Sequence, residues 1–193
     1  MSTRPPTRPS AESPPAADPS GRAEDALAGV PGAPASAGAV PSPAHAHQAG
    51  GGAFLEAFRR GALAPPPIAV TLGLELRDLR PGHATFTLRT DPARDSNPQG
   101  TVQGGVLSAL ADAAMGYAYL TTLEAGESFT TVELKINFVR PVWRASLTAV
   151  GEVVQRGRTV GLVRCNVSDD EGRLIAFATS TCLTLAGERA AGR

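Results

Sequence analysis

Residues 97–116 read NPQGTVQGGVLSALADAAMG, and how this stretch is read decides the fold. From 105 to about 123, Val106, Leu107, Leu110, Ala111, Ala114, Met115 and Ala118 recur at the helical period on one face. The other face, Ser108, Ala109, Asp112 and Gly116, is hardly polar. A helix that is apolar or small all round is expected to be buried. Asp112 is the only ionisable residue in the stretch. Asp is poorly suited to a helix interior, and a carboxylate is costly to bury unpaired. Its neighbours one turn away, Ser108, Ala109, Met115 and Gly116, are mostly small, so a ligand or a second chain can approach it. The plain alternative is an Asp that bonds to Ser108 or to backbone and only fixes packing.

The start of the helix carries chemistry of its own. Gly104-Gly105 removes side chains there and leaves backbone N–H groups and the positive helix end open to an incoming group. Such donors suit an oxygen that gains negative charge in acyl transfer. Asp112 follows two turns later, about 12 Å along the axis. An extended acyl substrate is expected to place its carbonyl between the two. A carboxylate with oriented N–H groups is a minimal kit for hydrolysis.

Outward from the helix the chain reads as strands. Residues 74–79 and 83–90 form a hairpin around Arg80-Pro81-Gly82. A loop rich in Pro, Asn, Asp and Gly spans 91–104. After the helix, 130–139 alternates, with Val132, Leu134, Ile136 and Phe138 on one face and Thr131, Glu133, Lys135 and Asn137 on the other. Residues 146–155, 159–167 and 173–185 are three more strands. A short helix opens the domain near 53–61, with Phe54, Leu55 and Phe58 at helical spacing, and Ala64-Pro65-Pro66-Pro67 is expected to end it. Two strands, one long helix and four strands make an antiparallel sheet wrapped on a helix, an α+β architecture. One helix cannot cover both faces of such a sheet, so at least a dimer is expected.

Residues 1–52 are almost wholly Ala, Pro, Ser, Gly, Arg, Glu and Asp. They cannot bury enough apolar surface to offset ordering entropy, and read as a disordered tail. The tail lacks the apolar core of a signal peptide. The domain then occupies 53–187, and 188–193 form a C-terminal tail. The chain of 193 residues has 18 basic and 18 acidic residues, which argues against a large nucleic-acid footprint. No stretch resembles a membrane span, and the expected location is cytoplasmic. Cys165 and Cys182 lie far apart in strand-like runs and read as buried reduced thiols, outside any metal-ligand spacing. His45 and His47 fall in the tail, and His83 stands alone at the start of a strand.

The run Asn97-x-x-Gly100-x-x-Gln103-Gly104-Gly105, then Asp112, then Thr131-Val132-Glu133-Leu134 and Arg140-Pro141, resembles the hotdog-fold acyl-CoA thioesterases. Within them it is most similar to the phenylacetic-acid-degradation (PaaI-like) branch, over about residues 68–186. The resemblance implies a hotdog fold, an antiparallel sheet around one long central helix. It also implies a homodimer or homotetramer acting on acyl-CoA without a metal or other cofactor. By resemblance, Asp112 is the base or nucleophile, and the Gly104 amide polarises the thioester carbonyl. Asn97 helps place the thioester, and Thr131, across a dimer interface, helps hold the attacking water. Gly105, the segment of Phe138, Val139, Arg140 and Pro141, and that of Gln155, Arg156, Gly157, Arg158 and Thr159 match the CoA-binding parts. Arg156 and Arg158 suit phosphates; read without the resemblance they are a solvated hairpin tip. The family usually has His before the glycine pair, where this chain has Gln103. Gln bonds both ways but cannot titrate near neutral pH.

Three readings follow. The first is an acyl-CoA thioesterase, supported by Asp112. The second is a non-catalytic acyl-CoA-binding or sensing protein, kept open by Gln103. The third is a hotdog hydratase or dehydratase, for which the domain offers only His83.

Overall fold

Alternating residues form the strands, and every pair of neighbouring strands runs antiparallel. The computed structural model describes residues 49–190. The expected tail up to residue 48, with His45 and His47, lies outside the described residues, as do 191–193. In chain order the elements are α1 (Gly50–Arg59), α2 (Pro67–Leu72), β1 (Leu74–Arg80), β2 (His83–Arg89), α3 (Pro92–Asp95) and α4 (Gly104–Leu120). Then come β3 (Glu127–Phe138), β4 (Ser146–Arg156), β5 (Val160–Ser168) and β6 (Leu174–Ala186). The strands make one six-stranded sheet in the order β1-β2-β4-β5-β6-β3. Helix α4 lies against one face of it, chiefly on β4, β2 and β5. This is the expected α+β arrangement.

The core sits between α4 and the sheet. Leu110, Ala111, Ala114, Met115, Ala118 and Tyr119 are fully buried against residues such as Leu147, Ala149, Val163 and Ala178. Each large apolar side chain so buried contributes roughly 1.5–3 kcal/mol. The helix backbone packs directly on Gly151 of β4, where a Cβ would lie 2.3 Å from the Ala114 carbonyl oxygen. Glycine in a strand often marks such a close backbone approach.

Several boundaries differ from the sequence reading. Helix α1 begins at Gly50, inside the expected tail, because Gly50 and Gly51 are buried. The Gly51 N–H donates to the Leu123 carbonyl at 2.8 Å, so these glycines belong to the packed domain. The proline run does not end α1, which stops at Arg59, but opens the next helix. Pro67 takes the first position of α2, where a missing N–H costs nothing. In the expected loop, the Asp91 carboxylate accepts the Ala93 N–H at 3.0 Å and caps the short α3. After β6 a 3-10 turn, Gly187–Ala190, occupies part of the expected C-terminal tail.

Two differences bear on function. The first is a bulge in β3. Thr131 pairs with Cys182 and Glu133 with Thr181, so Val132 has no partner. The extra residue changes the phase of the strand. Thr131, opposite buried Cys182, joins Leu134, opposite buried Ser180, on the helix side. Val132 turns outward and is 61% exposed, against the expected alternation. The second concerns α4, which is not buried all round. Gly105 and Asp112 are exposed, and Ser108, Ala109, Ala113 and Gly116 are only partly covered.

Candidate active site

Asp112 stands on the open face of α4. Its Oδ1 accepts a long hydrogen bond, 3.4 Å, from the Thr131 hydroxyl. Both residues belong to one chain, whereas Thr131 was expected to act across an interface. The bulge at Val132 is the cause, since it turns Thr131 toward the helix. Ser108 does not partner Asp112; its hydroxyl donates to the Gly104 carbonyl at 2.9 Å. Solvent reaches the Asp112 carboxylate, yet apolar neighbours crowd it. Burial raises its pKa above the ordinary Asp value, and the Thr131 hydrogen bond pulls it partly back. Asp112 and Thr131 border a cleft of about 270 Å3 walled by Gly116, Tyr117, Leu120 and Phe129. Met115 and Tyr119 turn into the core instead.

The helix start is open in the way the glycine pair implies. Gln103 is the N-cap, with φ −62° and ψ 133°, and its exposed side chain makes no capping bond. Its carbonyl accepts the Val106 N–H at 2.9 Å, whereas the N–H groups of Gly104 and Gly105 find no acceptor among the described residues. The first turn contains no acid, so its positive end is not neutralised. The Phe138 ring lies over Gly104; a Cβ there would sit 2.8 Å from Cζ. A second cleft, of about 370 Å3, brings Gly104 together with Asn97, Phe138, Val139, Arg140 and Pro141. The Asn97 carboxamide also shapes its own turn. Its Oδ1 accepts from the N–H groups of Gln99 and Thr101 at 3.0 and 3.1 Å, and its Nδ2 donates to the Thr101 hydroxyl at 2.8 Å.

One chain does not bring all the candidate residues together. Asp112 and Gly104 face different clefts, eight residues and about 12 Å apart along the helix. A carbonyl oxygen about 3 Å from an amide nitrogen leaves its carbon out of reach of a base so far away. The expectation that one substrate bridges both groups therefore fails within a single chain. The segment of Gln155, Arg156, Gly157, Arg158 and Thr159 lies near the other end of α4. There Arg156 pairs with Glu127 at 2.8 Å and sits 5.3 Å from the Tyr119 ring centroid. Arg156 also donates to the Gly157 carbonyl. Its charge is already paired, whereas exposed Arg158 makes no ion pair among the described residues.

The sequence reading passed over Phe129 and Pro66, which wall the Asp112 cleft. Phe129 carried a signal, since it precedes Thr131 by two on the same strand face. Cys165 and Cys182 are free and buried, as expected, and burial pushes their thiols up to about 12 and about 11. Among the described residues no cluster of three or more His, Cys, Asp or Glu could hold a metal. None of the described helices is long and apolar enough to cross a membrane.

Comparison with known proteins gives a consistent result. The Thioesterase superfamily model matches residues 99–176, from the loop before α4 into β6. A solved Thioesterase family protein from Silicibacter pomeroyi is 30% identical with a TM-score of 0.60, covering 68% of this chain and 95% of that one. A phenylacetic acid degradation-related protein from Ralstonia eutropha is 35% identical with a TM-score of 0.60, covering 67% and 98%. Among curated proteins, the medium/long-chain acyl-CoA thioesterase YigI of Escherichia coli is 26% identical over 129 residues, 60% of this chain and 83% of that protein. A Saccharolobus solfataricus protein that carries an esterase name is 37% identical over 79 residues, 41% of this chain, and the match spans 56% of that relative's length. With its long helix packed on a six-stranded antiparallel sheet, the chain belongs to the thioesterase superfamily and has the hotdog fold.

Proposed function

We propose that the protein hydrolyses acyl-CoA thioesters to a free acid and CoA, with Asp112 as general base or nucleophile. The observation that carries this reading is the Asp112 carboxylate, raised in pKa and held by Thr131 at the edge of an apolar cleft. As a base, it takes a proton from water while the water oxygen attacks the thioester carbonyl carbon. The C–S bond then breaks, the acid forms, and the departing thiolate recovers the proton. The reaction balances without a cofactor. The Gly104 N–H donates to the carbonyl oxygen as it gains charge.

The separation of Asp112 from Gly104 is resolved by a homodimer. Among the described residues strand β3 is an edge of the sheet with one unpaired side, and the open face of α4 lies beside it, where Thr131 reaches Asp112. A two-fold axis there sets the start of one helix beside the middle of the other. It also carries Arg158 of one chain toward the helix start of the other, where phosphates would meet it. Acyl-CoA as substrate agrees with the activity named for the Escherichia coli relative.

The test is free-thiol release by the full-length protein from acetyl-, hexanoyl-, palmitoyl-, benzoyl- and phenylacetyl-CoA. Silence on the whole panel would remove the hydrolytic reading. The pH profile tests the role of Asp112. The base must be ionised, so kcat/KM rises with pH through its pKa, which burial places above the ordinary Asp value. The Thr131 hydrogen bond favours the carboxylate, so Thr131→Val is expected to move this acid limb to still higher pH. A limb that stays fixed or moves down contradicts the assignment.

One observation favours a second reading, a protein that binds acyl-CoA without turning it over. Gln103, uncharged and exposed, stands where the resemblance implies His. Gln103→His is expected to preserve or raise thioesterase activity. A wild type that binds without turnover, next to an active Gln103→His variant, favours the second reading. A large loss in that variant with the fold intact assigns Gln103 a role of its own. The hydratase reading has no observation behind it. His83 follows Gly82, whose N–H donates to the Thr121 hydroxyl at 2.7 Å, just past the C-terminal end of α4.

A further inference from the structure

Gly116 lies inside α4, where glycine is less favourable than alanine. Its φ is not among the positive values that call for glycine. Packing does not require it either. A Cβ on Gly116 would meet Phe129 Cζ at 3.5 Å, an ordinary van der Waals distance, and nothing nearer among the described residues. Gly151 is different, since a Cβ there would collide with the α4 backbone at 2.3 Å. The fold thus keeps a destabilising residue that its own contacts do not demand.

The space that a side chain would take is the cleft beside Asp112. Gly116 lies one helical turn after Asp112 on the same face, and both border that cleft. Tyr117 and Phe129 wall the same cleft. The Tyr117 ring makes edge contacts with Phe54 and Phe86, with centroids 5.4 and 4.9 Å away. Its hydroxyl has no hydrogen-bond partner among the described residues, and burial raises its pKa, so it stays neutral. The lining is mostly apolar, which suits a hydrocarbon group.

We infer that Gly116 is the residue that sets which acyl groups are accepted: its missing side chain leaves room for a broad acyl body, aromatic or branched close to the carbonyl. The inference rests on the proposed role of Asp112 and adds the substrate class. One turn beyond Asp112, Gly116 borders the acyl atoms that follow the carbon attached to the reacting carbonyl. A methyl group there meets an aryl or branched acyl group and misses an acetyl group.

The experiment compares full-length wild type with Gly116→Ala on phenylacetyl-CoA and acetyl-CoA. It reads kcat/KM, Kd by calorimetry, Tm and oligomer mass. The ratio of kcat/KM for phenylacetyl-CoA over acetyl-CoA is expected to fall about tenfold or more, the usual effect of a methylene-sized change in an apolar pocket. The ratio of binding constants should fall with it. Tm is expected to rise by about 2–4 °C. An unchanged ratio overturns the inference. So does an equal loss on both thioesters with a drop in oligomer mass, because Gly116 would then serve the approach of a second chain. A wild type that turns over neither thioester but whose Kd ratio shifts in the variant sinks the catalytic reading and keeps the size selection. A wild type that neither binds nor hydrolyses either thioester sinks both.

Discussion

Replacing Asp112 by Asn is expected to lower thioesterase kcat about a thousandfold while making the folded protein more stable at neutral pH. The two effects have one cause. Asn keeps the shape and can still accept from Thr131, but it cannot take a proton or attack a carbonyl. The stability sign follows from the direction of the pKa shift. Burial raises the folded-state pKa of Asp112 above its unfolded value, so ionisation disfavours the folded state. This penalty is absent below the unfolded pKa, about 3.9 for Asp. It grows as pH rises toward the folded pKa and is complete above it. The variant escapes it, so its melting advantage should exist at pH 7 and vanish below about pH 3.9. Kinetics and melting at both pH values check the pair. A rate within tenfold of wild type rules out the catalytic role. A variant that melts lower at pH 7 makes Asp112 a packing residue instead.

The second large effect is recovery of activity from two inactive chains. Gly104→Pro removes the N–H proposed to polarise the carbonyl. Proline fits the first helical position, and Gln103, at φ −62° and ψ 133°, already has the backbone that precedes a proline. The added ring atoms press on the tip of the Phe138 ring, an exposed side chain. Loss of one such donor is expected to lower kcat about 100- to 1,000-fold. Gly104→Ala keeps the N–H and controls for the extra carbon. Asp112 of one chain is proposed to work with Gly104 of the other. A dimer of one Asp112→Asn chain and one Gly104→Pro chain then holds one doubly damaged site and one intact site. Random pairing should recover about one quarter of wild-type activity, and a mixed dimer isolated through two affinity tags about one half. If each chain carried its own complete site, the mixture would stay as inactive as its parents.

Most of the fold was legible because the residues of the core repeat at the periods of their elements. Val106 to Ala118 repeat as a helix, and 146–185 alternate as strands, so the element order could be read without structure. Asp112 stood out as a lone charge in an apolar run, and Gly104-Gly105 as a bare helix start. The phase of β3 was not legible. Val132 has the chemistry of an inward residue, and only pairing with β6 reveals it as the bulge that brings Thr131 to Asp112. Helix α2 was hidden by prolines that read as a stop, although Pro67 is a start. Gly50 and Gly51 looked like tail because their reason for being glycine is the chain end of α4, more than 60 residues away. The separation of the clefts was half legible. The distance from Gly104 to Asp112 follows from helical rise, but its consequence needed the clefts themselves.

The bare first turn of α4 sets a limit on engineering. By the usual rules for a stable helix, Gln103 should become Asp, Gly105 should become an acid, and Gly116 should become Ala. Each change is of the kind that gives roughly 0.3–1.5 kcal/mol. Each also fills or neutralises a place where the substrate is proposed to sit. A library screened only for heat resistance will therefore gather at these positions and lose turnover as it gains stability. Heat-resistant variants should be sought on β1, β2 and the outer face of the sheet, with 103–105, 112 and 116 held fixed.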